Sequence, residues 1–323
     1  SKGEKMNTDT TKKVQAAEVT FADDAFSPLP EGALDQDQIA RKKTTYFKDV
    51  WRNFKKNKAA VISLVVIAIM IFFVLFGPMM TKFDYYSNDY SCSNQGPNAV
   101  HWFGTDNLGR DLWTRVWAGG RVSLIIAILA TLIPEIIGMA VGGISGYLGG
   151  WADTVIMRTI DVLMGIPSLI YMILLMVVMG SGNIATLVIA MSITGWMGAA
   201  RSTRGLVLQL KTREFVVASE TLGASSGWII ARRLIPNTLG IRVVSITMSL
   251  PSVIFYEAFL SYIGLGVTPP QPSWGQLIKA AGETFRYYPY QFIIPCLCVS
   301  ITMLCFNLIG DGLRDALDPK LRA

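Results

Sequence analysis

Residues Ala59 to Pro78, AAVISLVVIAIMIFFVLFGP, contain no charged side chain. As a helix rising about 1.5 Å per residue, a run of this length crosses about 30 Å, the thickness of bilayer hydrocarbon. In lipid every backbone amide must find its partner within the protein, so such a run admits a helix and little else. Further apolar blocks follow at about 122–147, 162–179, 184–200, 243–262 and 291–310. The block at 184–200 is short and carries Gly195, which makes it the least distinct, and a count of five spans would put the two ends on opposite sides. Composition agrees with a membrane protein: 51% of the residues are hydrophobic and 16% charged. The expected fold is all-α, a polytopic membrane protein with six transmembrane helices in one domain.

Orientation follows from Lys and Arg, which accumulate in cytoplasmic loops. With the first residues inside, 23 of the 29 basic residues fall on the inner side, and only Lys82, Arg110, Arg115, Arg121, Lys279 and Arg286 lie outside. Both termini are therefore expected in the cytosol. The net charge of +6 is explained by topology, and no nucleic-acid partner is expected. Residues 1–42 are polar without apolar periodicity and predict a flexible cytosolic tail. In 43–58, Phe47, Val50, Trp51 and Phe54 share one helical face with basic residues elsewhere, predicting an amphipathic helix in the inner interface. The first transmembrane helix is placed at 59–80, an extracytoplasmic loop at 81–117, the remaining spans within 118–311 and a cytosolic C-terminal tail at 312–323. No apolar run precedes Ala59, so no cleavable signal peptide is expected.

The residues for common catalysis are missing. His101 is the single histidine, the four cysteines form no paired CxxC, and no HExxH, nucleophile elbow or Gly-Lys dipeptide occurs. No metal and no catalytic residue is expected, and if ATP drives this protein, another chain binds it.

Between the fourth and fifth blocks stands EFVVASETLGASSGWIIARRLIP, Glu214 to Pro236, within a mostly polar loop 213–236. Arg213–Leu222 favours helix, with Phe215, Ala218 and Leu222 on one stripe and Glu214 near the positive end of the helix dipole. Gly223 is a natural stop, Ser225 or Ser226 a cap for a second short helix over Trp228–Leu234, and Pro236 its end. Two short helices meeting at a glycine form a stiff projection, able to transmit a displacement. A plain basic loop that only fixes topology is the competing reading.

The order Ala218, Gly223, Ile235-Pro236 resembles the EAA signature of bacterial ABC importer permeases. HWFGTDNLGRDLWTRVWAGGRVSL (101–124), FLSYIGLGVTPPQPSWGQLI (259–278) and DPKLR (318–322) are similar to the same family, in particular to the C-type permease subunit of oligopeptide and dipeptide importers. The resemblance implies a type I ABC importer (MetI-like) permease core at 118–311, in a bacterial inner membrane and surrounded by its lipid. It implies a second homologous permease, two cytosolic ATPase subunits that hold ATP and Mg, and an extracytoplasmic peptide-binding protein, periplasmic or lipid-anchored, that delivers peptide. This chain would bind no cofactor. The loop would dock into the ATPase through Phe215, Val217, Ala218, Ser219, Glu220, Leu222, Gly223, Ala224, Ile235 and Pro236. Val217 stands where the signature has its acidic residue and Ser219 where it has its second alanine, so docking is expected to rest on shape and apolar contact. Dipeptides, nickel and glutathione remain alternative substrates. A secondary transporter or channel without ATPases is the reading from another class; it predicts inverted repeats, and none is visible although Pro134 and Pro251 interrupt two spans.

Other residues carry a structural and a functional reading side by side. Gly138, Gly142 and Gly146 recur on the stripe of Ala130 and Pro134, a small-residue face that lets helices approach closely. Glu135, within a span, costs about 2.5–3.5 kcal/mol on insertion scales and must face protein or water. It either lines the translocation path, meeting a peptide's amino end, or is a packed carboxyl bonded to a neighbouring helix. Glu257 poses the same choice, with a bond to the following loop as its structural version. Asp106, Arg110 and Asp111 either fix the outer loop by hydrogen bonds or help seat a binding protein. Pro269, Pro270 and Trp274 belong to a stiff extended stretch that either gates or contacts the binding protein, or anchors the chain in the outer interface through Trp274.

Overall fold

The computed structural model describes residues 46–180 and 182–317; the expected tail at 1–42 and residues 318–323 lie outside them. The described residues are almost entirely helical, with one isolated bridge between Thr105 and Asp111 in place of a sheet. Among the described residues, five helices are long and apolar enough to cross a membrane. A sixth crossing is available as a pair bent by 82°.

Helix α1 (Tyr46–Phe54) leads into α2 (Lys58–Phe76), whose first turn is capped by Asn57 Oδ1 accepting from the Ala60 amide at 3.1 Å. The loop after α2 runs to α3 (Leu112–Leu148), so the end of the stretch expected as extracytoplasmic loop, 112–117, is already helix. The block at 162–179 is not one straight span. Its first residues end α4 (Gly150–Met164), and Pro167, which cannot continue the preceding helix, stands at the N-cap of α5 (Ser168–Met179). Gly180, at φ 64°, closes α5 in the left-handed conformation.

The indistinct block becomes α6 (Ile184–Leu210), a full span and the most buried of the five, with 56% of its apolar window covered. Helix covered by protein has no need to dissolve in lipid, which is why its sequence is the least apolar of the set. It lies against the glycine stripe of α3: a Cβ on Gly138 would meet the Trp196 carbonyl oxygen at 2.6 Å, and one on Gly146 the Arg204 carbonyl at 3.0 Å. On Gly142 it would fall onto the backbone of Ala200. The tight-packing reading of the stripe holds, within this subunit.

Helix α7 (Glu214–Thr221) follows, then α8 (Ser226–Ile229), a π turn (Ile230–Leu234) and α9 (Ile235–Tyr262). The second short helix expected to end at Pro236 does not end there. Ser226–Tyr262 forms one 37-residue candidate span. Pro236 lacks an amide hydrogen and its ring crowds the carbonyl four residues back. The π turn, closed by the Ile235 amide donating to Ile230 O, widens the backbone at that point and lets the helix continue.

Helix α10 (Trp274–Gly282) packs on α9 and on α11 (Pro289–Leu317). Helix α11 runs past 311 into the expected C-terminal tail, because Gly312 and Ala316 close against α1 and α2 through Phe54 and Ala60. A second core surrounds Trp113, Trp117 and Trp274 between α2, α3, α9, α10 and α11, and a third fills the space between α3, α5, α6 and α9.

Candidate functional site

The loop 213–236 is held from beneath. Val216, Ile229 and Leu234 are fully buried against Val207 of α6, and Ser219 turns inward to donate to Phe215 O at 2.8 Å. Tyr147, at the end of α3, donates to Glu220 Oε1 at 2.8 Å, and Lys211 Nζ reaches Gly146 O at 3.3 Å. Ser225 occupies the N-cap of α8 without a side-chain bond, and Gly223 takes φ 78°, where only glycine is unstrained.

Among the residues left exposed, beside polar ones such as Glu214, Thr221 and Ser225, stands an apolar group. Leu222 is 87% exposed, Val217 48% and Phe215 38%, with Ala218 and Gly223 also open to the exterior. Pro236 is exposed, whereas Ala224 and Ile235 are half-buried and join the supporting layer. The expected contact residues thus divide into an outward face and a support of Ser219, Ala224 and Ile235, with Glu220 committed to Tyr147. The anchor Val216 and the ring of Trp228, 44% exposed beneath the Arg233 guanidinium, escaped the sequence reading, in which they are ordinary members of a short apolar pattern.

Inside the bundle, Glu135 is paired. The Arg242 Nε and Nη2 groups of α9 bond its Oε1, and Arg242 Nη1 donates to Ser202 Oγ on α6 at 2.8 Å. Both partners are buried. By position in the sequence, just ahead of the block at 243–262, Arg242 is one of the 23 basic residues counted for topology. Glu257, fully buried, accepts from Ser123 Oγ of α3 and Ser261 Oγ, both at 2.9 Å, and Ser261 lies 3.4 Å from Ser273 at the start of α10. It ties the following loop to α3 as well as to its own helix. Two more arginines are paired: Arg204 grips Asp153 with two bonds of 2.5 Å, and Arg201 meets Asp161.

On the opposite side, Asp106 Oδ1 accepts from the amides of Leu108 and Arg110, and its Oδ2 from Arg110 Nε at 2.8 Å. Asp111 caps α3 through the Thr114 amide and contacts His101 Nδ1 at 2.9 Å. These residues build the loop, as the hydrogen-bonding reading of them has it. Gln291 and Tyr290 of α11 then clamp it, with Gln291 Nε2 donating to Thr105 O at 2.9 Å and Tyr290 hydroxyl to Gln95 O at 2.9 Å. Pro269 and Pro270 are exposed. Trp274 is not: it is fully buried, its Nε1 donating to Val116 O at 2.9 Å, so the surface anchor or contact expected of it is corrected to a core residue.

A family model described as "Binding-protein-dependent transport system inner membrane component" matches residues 138–323, and one described as "N-terminal TM domain of oligopeptide transport permease C" matches 45–97. The oligopeptide transport system permease protein OppC of Bacillus subtilis is 44% identical over 92% of this chain and 97% of its own length. The chain belongs to this family of inner-membrane transport components. Another member, the dipeptide transport system permease protein DppC of Bacillus subtilis, is 42% identical over 93% of this chain and 94% of its own. Among solved structures, one of the MetNI methionine ABC transporter in inward-facing conformations matches with a TM-score of 0.49 and 19% identity, over 64% of this chain and 96% of that one. For this family member, the matched region 138–323 contains the anchored loop and Arg242, and begins just after Glu135.

Proposed function

We propose that this chain is the permease subunit of an ATP-driven importer of oligopeptides. It forms half of the translocation channel beside a second, homologous permease, and catalyses nothing itself. Two cytosolic ATPase subunits, holding ATP and Mg, grip loop 213–236, and an extracytoplasmic binding protein delivers peptide to the opposite face. Closure of the ATPases draws the loops together and opens the path outward; hydrolysis resets it. Both termini lie on the ATPase side, a placement supported by the 23 basic residues assigned there.

One observation carries this reading. An outward apolar tip at Leu222, Val217 and Phe215 sits on a loop pinned beneath and continuous, through the π turn, with a 37-residue helix. An apolar tip facing solvent marks a protein contact, and a stiff lever behind it converts movement of the partner into movement of a span. The test is Leu222→Glu. The side chain is exposed, so folding is expected to change by no more than about 0.5 kcal/mol. Loss of an interface anchor worth about 2 kcal/mol weakens ATPase binding about thirtyfold. The permease pair should then purify in mild detergent without its ATPases and support no uptake; wild-type ATPase retention and uptake would exclude the proposed docking.

A further inference from the structure

A cavity of about 330 Å³ opens between α3, α6 and α9, and the Glu135–Arg242 pair forms part of its wall. Three of the five Arg242 N–H groups are placed by these contacts, two on Glu135 Oε1 and one on Ser202 Oγ. Glu135 Oε2 accepts from no described residue. Thr131 also lines the cavity; it is 5% exposed, and its Oγ1 has no partner among the described residues. Ser245 and Ser249 donate their protons to Ile241 O at 3.2 Å and Ile246 O at 2.9 Å, so they turn only lone pairs towards the space.

The wall offers acceptors in one carboxylate oxygen and two serine oxygens, beside the hydroxyls of Thr131 and Ser202, each able to donate. Stability does not call for this set. Apolar side chains at 131, 245 and 249 would fill the same wall without leaving a buried hydroxyl unpaired. A group with several N–H donors and a positive charge satisfies it, and a primary ammonium has three. The Arg242 contact to Oε1 offsets part of the carboxylate's pull, so an ammonium is welcomed without being trapped.

We propose that this cavity is a transit site for the free α-ammonium group of a peptide, with Glu135 Oε2 as its main acceptor. The inference rests on the reading of the chain as a peptide permease. It is tested in the reconstituted complex by ATP-driven uptake of one peptide and of its N-acetylated form, each delivered by the same binding protein. The readout is the preference for the free amine, compared between variants, so any preference of the binding protein cancels. Glu135→Gln is expected to reduce this preference about fivefold or more, consistent with loss of one charge-assisted hydrogen bond. Because Glu135→Gln strips Arg242 of its counter-charge, the triple variant Thr131→Val/Ser245→Ala/Ser249→Ala, which leaves the ion pair intact, is measured in parallel and should cut the preference at least about threefold. An unchanged preference in the triple variant overturns the proposal even if total uptake falls, and assigns the cavity to packing or to the second permease. Failure of the wild-type complex to import either peptide overturns the peptide-permease reading itself, and this inference with it.

Discussion

Arg242→Met is expected to destabilise the subunit by about 3–5 kcal/mol, because it leaves Glu135 buried without its partner. The pair joins α3 to α9 across the interior, and Arg242 Nη1 also holds Ser202 of α6, so one substitution loosens three helices. The double variant Glu135→Gln/Arg242→Met removes both charges and is expected to recover most of the loss, since an uncharged pair has no desolvation cost to offset. Thermal unfolding of the detergent-solubilised subunit, followed for both single variants and the double, checks this as a double-mutant cycle. A melting temperature for Arg242→Met equal to wild type contradicts the pairing.

Gly142→Val is the second large effect. Its Cβ would occupy the position of the Ala200 backbone, and a backbone cannot rotate away as a long side chain can. Overpacking at such a contact costs at least the upper part of the usual range of about 1–3 kcal/mol. It also forces α3 from α6, the helix whose low apolarity depends on being covered. Loss of the folded monomer peak on size-exclusion chromatography is the expected result. Gly205→Ala on α6 is the matched control: nothing lies within 4 Å of an added Cβ, and the helix gains up to about 1 kcal/mol from alanine. A folded Gly142→Val protein with wild-type stability means that the two helices do not meet through this stripe.

Most of the architecture is legible in the chain because lipid permits so few solutions. The uncharged run at 59–78 is helix α2 and its 3-10 extension, and the glycine stripe at 138, 142 and 146 is the α3–α6 contact. The misreadings share a physical cause, an interaction that local pattern does not report. Gly165 and Pro167 break the third block at a point where hydropathy stays high. Arg201 and Arg204 end the fourth block on paper, yet the helix runs on to Leu210 because Asp161 and Asp153 neutralise them. Pro236 is a stop signal unless a π turn absorbs it. At the candidate site, the outward face of the loop follows from helical spacing, whereas Arg242 pairs across more than a hundred residues with Glu135, and no periodicity connects two such positions. Trp274 reads as an interface aromatic and is core, since its indole N–H finds Val116 O instead of water.

Coupling through the loop at 213–236 is the centre of this account, and Gly223→Pro tests it most directly. Gly223 sits at φ 78° and donates its amide to Glu220 O at 2.9 Å; proline fixes φ near −65° and has no amide hydrogen, so the turn must change shape. The substitution lies at an exposed tip, away from the contacts between spans. Peptide uptake and peptide-stimulated ATP hydrolysis would be measured in the reconstituted complex, together with the assembly of the permease pair. The account predicts that both activities are lost while the pair remains assembled. Uptake at the wild-type rate would contradict it and reduce the loop to a topology anchor.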